Sequence, residues 1–193
     1  MKFPRTRSLA VGLSLASCLL SDKPPLGRPI TIVHAQTATL ETRLKAAFLS
    51  KFPQFVEWPA ETLAGRTTIE ICVASPNPFG SELDELVAGE SLNGRRIVIG
   101  VVEREQDVAG CHILFLPARP DGARHPLLRR AESLPILTVG DTPRFLDEGG
   151  IVRLRTVDGR LRFDVNAGAA QRVGLRISAQ LLRLALSVRG GAA

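Results

Sequence analysis

Residues 96–102 read RIVIGVV and residues 111–116 read CHILFL. Both runs are short and apolar almost without interruption, so they read as strands covered on both faces. Thr67 to Ala74 (TTIEICVA) is a third strand, rich in β-branched residues, and Pro135 to Val139 (PILTV) is a fourth. Helical patterns lie between them. Phe79 to Ala88 places Phe79, Leu83, Leu86 and Val87 on one side, and a short helix centres on Leu127 and Leu128 within Pro120–Leu134. Strands alternating with helices predict an α/β domain with a mostly parallel sheet and helices on both faces.

Outward from this centre the pattern changes. Ile151–Val157 and Arg160–Val165 flank Asp158-Gly159, the strongest hairpin signal in the chain, and predict an antiparallel edge. Asn166 is placed to cap a long final helix from Ala167 to about Val188. Ile177, Leu181, Leu184, Ala185 and Val188 make its main stripe, and Leu175, Ala179, Leu182 and Leu186 a second. At the other end, Thr39 to Trp58 opens as a helix with Thr39 as N-cap. Its stripe is Leu40, Leu44, Ala47, Phe48, Phe52 and Phe55. Pro53 removes a backbone donor and should end this helix near Phe52, and Pro59 biases Trp58 to an extended conformation.

The 193 residues suit one domain. Lys2, Arg5 and Arg7 precede an apolar run from Leu9 to Leu20, too short to span a bilayer and suited to a signal peptide. Val33-His34-Ala35 before Gln36 fits signal peptidase, giving residues 1–35 as a cleaved signal with a polar extension and 36–193 as the domain. The alternative is Leu15-Ala16-Ser17-Cys18, a lipoprotein-type site with Cys18 as the lipidated residue. Residues 1–35 hold five basic residues and one acidic residue, so their removal lowers the formal charge from +6 to +2. The charge excess is therefore poor evidence for nucleic-acid binding. In an oxidising compartment Cys72 and Cys111 form an even pair, and a disulfide between them is the default expectation.

Catalytic and cofactor motifs are scarce. His34, His112 and His125 are scattered, no helical pair sits at metal spacing, and no phosphate-binding glycine loop or nucleophile elbow is present. Gly140-Asp141-Thr142 ends a strand, where α/β folds bind ligands, but it also reads as a polar turn. Asp164 is assigned to the wet side of the hairpin. Arg153, Arg155, Arg160 and Arg162 converge on that hairpin as a basic face, solubilising or facing an acidic partner. The sequence calls for no cofactor.

Several segments together resemble one family, the YfiR-like periplasmic proteins. They are LKAAFLSKFPQFVEWP (44–59), IEICVASPNPFG (69–80), CHILF (111–115), ILTVGDTPRFLDEGGIV (136–152) and RLRFDVNAGAAQRVGLRISAQLLRLA (160–185). The resemblance implies a small exported α/β protein without catalytic residues. The best understood members of that family repress an inner-membrane diguanylate cyclase by binding its periplasmic sensor domain, which lowers cyclic di-GMP and biofilm formation, while other relatives serve sensor proteins of other kinds. They can dimerise and can carry a stabilising, redox-linked disulfide, for which Cys72 and Cys111 are the matching positions. The expected partner surface is the exposed part of the final helix with the hairpin beside it, namely Leu175, Leu182, Leu186, Arg153 and Arg155. The alternative function is a small-molecule-binding sensory module reporting to a histidine kinase or an outer-membrane receptor.

Overall fold

The structure is a computed structural model that describes residues 30–190, with side chains from residue 40. The first described element is helix α1 (Ile30–Lys51), followed by a 3-10 turn at Phe52–Phe55, strand β1 (Val56–Glu57) and a single helical turn α2 (Ala60–Leu63). The central run is β2 (Thr68–Ala74), α3 (Glu82–Val87), β3 (Ser91–Leu92), β4 (Arg95–Val102), β5 (Ile113–Leu116), α4 (Pro126–Ala131) and β6 (Leu137–Gly140). The C-terminal part is β7 (Val152–Val157), β8 (Arg160–Asn166), α5 (Ala167–Arg172), β9 (Arg176–Ile177), α6 (Ala179–Leu184) and β10 (Ser187–Arg189).

Eight strands form one sheet in the order β10-β8-β7-β6-β5-β2-β4-β3. Pairing is parallel from β4 across β2, β5 and β6 to β7, and antiparallel in the hairpin β7–β8 and in β3–β4. This is the expected mostly parallel α/β sheet. Both hairpins turn on Asx-Gly pairs with positive φ, Asn93-Gly94 and Asp158-Gly159.

The apolar strands divide their side chains between two cores. In β5, Ile113 and Phe115 pack into one with α1 and α3, while Leu114 and Leu116 pack into the other with Leu127, Leu128 and Ala131 of α4. Covering both faces is what an uninterrupted apolar strand requires. Cys72 and Cys111 lie in the second core, 3% and 4% exposed, and are joined by a disulfide with Cα atoms 5.7 Å apart.

Three expectations about the helices need correction. Thr39 does not cap α1, which starts at Ile30 and carries Thr39 inside it. One capping bond, worth about 1 kcal/mol, does not outweigh continued helical hydrogen bonding. The buried face is Ala46, Leu49 and Phe52, whereas Leu40 and Leu44 are 57% and 38% exposed. A helix of 22 residues spans about 33 Å, longer than the strands of the sheet. Pro53 behaves as expected, ending α1 at Lys51 and starting the 3-10 turn.

The long final helix is the third. It is broken into α5, β9, α6 and β10. Asn166 does cap α5, accepting from the Ala169 amide. Gly174, at φ +77, ends that helix and passes close to Pro59, where a Cβ would sit 3.0 Å from the proline ring. Ser178 then caps α6 by accepting from the Leu181 amide at 3.2 Å.

The disulfide spans 39 residues, and closing such a loop is worth about 4 kcal/mol in the chain-entropy model. Cys72→Ser is expected to lower the unfolding free energy by 2–5 kcal/mol as an order of magnitude. Denaturant titration of the oxidised protein checks this. A change below about 1 kcal/mol would mean the two cores hold these strands together without the bond.

Candidate functional site

The break after α5 brings the segment that follows it back onto the segment that follows α1. Strand β9 pairs antiparallel with β1, Val56 against Ile177 and Glu57 against Arg176. The Ser178 amide donates to the Phe55 carbonyl at 2.9 Å. Helix α6 therefore lies opposite the C-terminal end of α1, with Phe163 of β8 between them. Phe48, Phe52 and Phe163 form a mutual aromatic cluster with centroids 5.8–6.1 Å apart. Above it is a groove of about 240 Å³, bounded by Ala47, Phe48, Phe55, Leu181 and Leu184, with Lys51 at its rim. Leu184 is 62% exposed at its lip. The sequence marked Leu181 and Leu184 as one stripe of a continuous helix, but only the chain reversal at Gly174 sets them against α1.

The residues expected to form a partner surface are dispersed. Leu175 is 1% exposed, held in the core where β9 meets β1, and cannot contact a partner. Leu182 is half-buried against the core, and Leu186 is 49% exposed. Arg153 and Arg155 are engaged inside the protein. Arg153 Nη2 lies 2.7 Å and Arg155 Nε 2.8 Å from Asp164 Oδ2, and the Ser187 hydroxyl donates to Asp164 Oδ1 at 2.6 Å. Asp164 is fully buried, not on a wet face as the alternation suggested, because β10 and the two guanidinium groups enclose it. Burial raises its carboxyl, but the Ser187 hydroxyl and the two arginines outweigh this and hold it below the usual carboxylate range. Removing any of these partners would leave a buried charge under-compensated. Arg160 and Arg162 are exposed.

The end of β6 is equally occupied. Asp141 Oδ2 pairs with Lys45 at 2.7 Å, and its Oδ1 accepts from the Ala118 amide at 2.9 Å. Lys45 also pairs with Glu41 at 2.8 Å. Burial lowers Lys45, but hydrogen bonds to Asp141 and Glu41 prevail and raise it. Phe145 is wedged against Gly140 and Gly150, where a Cβ would fall 2.4 and 2.2 Å from its ring. The Gly140-Asp141-Thr142 segment is thus a structural lock between α1 and the sheet.

His112 is 1% exposed. Its Nδ1 accepts from the Glu70 amide at 3.0 Å, and its ring packs edge-on against Trp58, whose indole donates to the His112 carbonyl at 3.3 Å. With Nδ1 accepting, the neutral ring carries its proton on Nε2, which has no hydrogen-bond partner. Cys111 is in the disulfide and supplies no metal ligand, and the described residues contain no His/Cys/Asp/Glu group able to hold a metal. Among them, no helix is long and apolar enough to cross a membrane.

The described residues define a class first: an α/β protein in which Lys45, Asp141 and Asp164 are held in scaffold contacts and an apolar groove lies open between α1 and α6. The YfiR/HmsC-like family model matches residues 42–186, and the chain belongs to that family. Membership implies a periplasmic regulator in cyclic di-GMP signalling, and the family is generally regulatory rather than catalytic. Among solved structures, the chain is similar to a conserved domain protein from Vibrio cholerae O1 biovar El Tor, at 13% identity and a TM-score of 0.46. That match covers 77% of this chain, which spans only 60% of the other protein.

Burial, with a smaller contribution from Arg66 and Arg95, lowers the His112 pKa from 6.5 to about 4. The unfolded chain takes up this proton more readily, so stability is complete above pH 6.5 and declines as the pH falls towards 4. The total loss from this residue is about 3 kcal/mol. His112→Asn should be less stable at pH 7 and lack this part of the acid slope. Unfolding free energies at pH 7 and 4.5 measure it, and equal slopes in both proteins would assign the effect to other groups.

Proposed function

We propose that the protein is a periplasmic regulatory binding protein that represses a membrane diguanylate cyclase through the cyclase's periplasmic sensor domain. Repression lowers cyclic di-GMP and restrains biofilm formation. The observation that carries this reading is the open apolar groove between α1 and α6 in a chain of the YfiR/HmsC-like family. Apolar side chains of the sensor domain would fill the groove over Phe48, Phe163 and Leu181. The exposed Leu40 and Leu44 on the same helix extend the surface, and Lys51 at the rim supplies charge for orientation.

Repression also requires that binding discriminate between signalling states of the cyclase, because a ligand indifferent to state shifts no equilibrium. The sensor conformation favoured by this protein would be the inactive one. Export belongs to the same reading. Residues 1–35 serve as the signal and the mature chain begins near Gln36, which removes the first six residues of α1. Residues 1–29, including Cys18, lie outside the described residues.

Leu184→Glu is the direct test. Leu184 is 62% exposed, so the change should spare the fold. Loss of a buried interface leucine for a charge should weaken binding to the purified sensor domain at least thirtyfold, the level of an interface hot spot. In cells, cyclic di-GMP and surface attachment should rise with Leu184→Glu as they do on gene deletion. Unaltered affinity would remove the groove from the interface. Unchanged cyclic di-GMP after deletion, with loss of a sensor-kinase response instead, would replace the cyclase with that partner.

A further inference from the structure

Protonation has a geometric consequence at His112. In the neutral ring Nδ1 accepts from the Glu70 amide at 3.0 Å. An imidazolium carries a proton on both nitrogens, so Nδ1 would then set one N–H against another. Nε2 offers no relief, because it has no hydrogen-bond partner. The ring is 1% exposed and water does not reach it. The charges around it add to the conflict. Arg66, in the turn before β2, and Arg95 of β4 are both close enough to oppose a positive ring. Glu70 gives the ring its amide, but its carboxylate lies beside Gly110. Glu57 of β1 and Glu61 of α2 are exposed, and β6, which reaches the His112 carbonyl through the Leu137 amide, carries no charge.

The edge-on partner of this ring is Trp58, which is 8% exposed. Trp58 follows directly on β1, and β1 meets β9 over two residue pairs, Val56 with Ile177 and Glu57 with Arg176. The Ser178 amide adds one bond to the Phe55 carbonyl, and Pro59 closes the joint by its close approach to Gly174. So short a ladder is marginal by itself and needs its flanks anchored. At its far end α6 is held separately. There the Leu186 amide donates to the Phe163 carbonyl at 2.8 Å, and β10 pairs with β8.

We propose that the contact between His112 and Trp58 is an acid-released latch on the α1–α6 groove. A proton on Nδ1 expels the ring from its place beside the Glu70 amide, and Trp58 loses its partner. The β1–β9 ladder then opens, and α6 moves off α1 about its attachment at β10. The groove over Phe48, Phe163 and Leu181 loses one wall. The movement stands on these contacts alone, whereas its effect on a partner rests on the groove being the docking site proposed above. Linkage sets the size of the effect. A ring released to water regains the ordinary pKa of 6.5, against about 4 in place. Above pH 6.5 both forms are neutral and the latch stays closed. Lowering the pH from 7.5 to 4.5 charges the released ring first and shifts the opening equilibrium roughly 75-fold towards it.

Trp58 is the only tryptophan in the chain, so intrinsic fluorescence reads the latch directly. The test follows emission, acrylamide quenching and far-ultraviolet circular dichroism of the oxidised protein from pH 7.5 to 4.5, with amide hydrogen exchange. Emission should shift to the red and quenching should rise while circular dichroism stays constant. The protection factor of the Ser178 amide should fall at least tenfold, with protection in β5 and β6 retained. His112→Asn, which takes up no proton in this range, should abolish the response. Arg66 is exposed, so Arg66→Gln should spare the fold, and removing its charge from beside the ring should move the midpoint to higher pH. Affinity for the purified cyclase sensor domain should fall at least tenfold over the same range. Emission and Ser178 protection that stay constant to pH 4.5, or change only together with circular dichroism, overturn the latch. So does a response that persists in His112→Asn, or a midpoint that Arg66→Gln leaves unmoved, because another group would then be titrating. A latch that opens without altering the affinity of the sensor domain confirms the movement and instead removes the groove from the interface.

Discussion

The contact between Trp58 and His112 joins three parts of the chain that are far apart in sequence. The indole N–H holds the carbonyl just before β5, the imidazole holds the Glu70 amide in β2, and the two rings meet edge to face. Trp58 directly follows β1, so fixing it also fixes the short β1–β9 pairing and the start of α6. Burial is what makes the contact strong. A neutral imidazole accepts a backbone hydrogen bond away from competing water, and the same burial opposes its protonation. The groove between α1 and α6 is therefore built from segments whose relative position this aromatic pair sets.

Charge has a similar structural use. Asp164 is buried with two arginines and a serine around it, and Asp141 ties Lys45 of α1 to the end of the sheet. Groups that resemble functional candidates in a linear reading are bound to one another. The glycine-rich segment after β6 follows the same logic, because Gly140 and Gly150 leave the space that Phe145 fills. Asp141, Asp164 and the 140–150 segment thus serve scaffold contacts.

Local residue order was sufficient for much of the fold. Continuous apolar runs at RIVIGVV and CHILFL required a sheet covered on both sides, and Asp158-Gly159 required a hairpin. Pro53 ended α1 through the loss of a donor, and Cys72 and Cys111 were the pair available for a bond. These are short-range or compositional constraints, which a linear reading can weigh. The break of the final helix was not legible, because the three- and four-residue spacing of its apolar residues suits a helix, whereas β9 forms by pairing with β1 from the other part of the chain. Burial of Asp164 and Leu175 was hidden for the same reason, since β10 and β1 come to them from distant parts of the chain. The sequence by itself thus determined the layered α/β class, whereas tertiary packing decided which apolar residues remain in water and which charges are enclosed, because both depend on neighbours that sequence distance does not reveal.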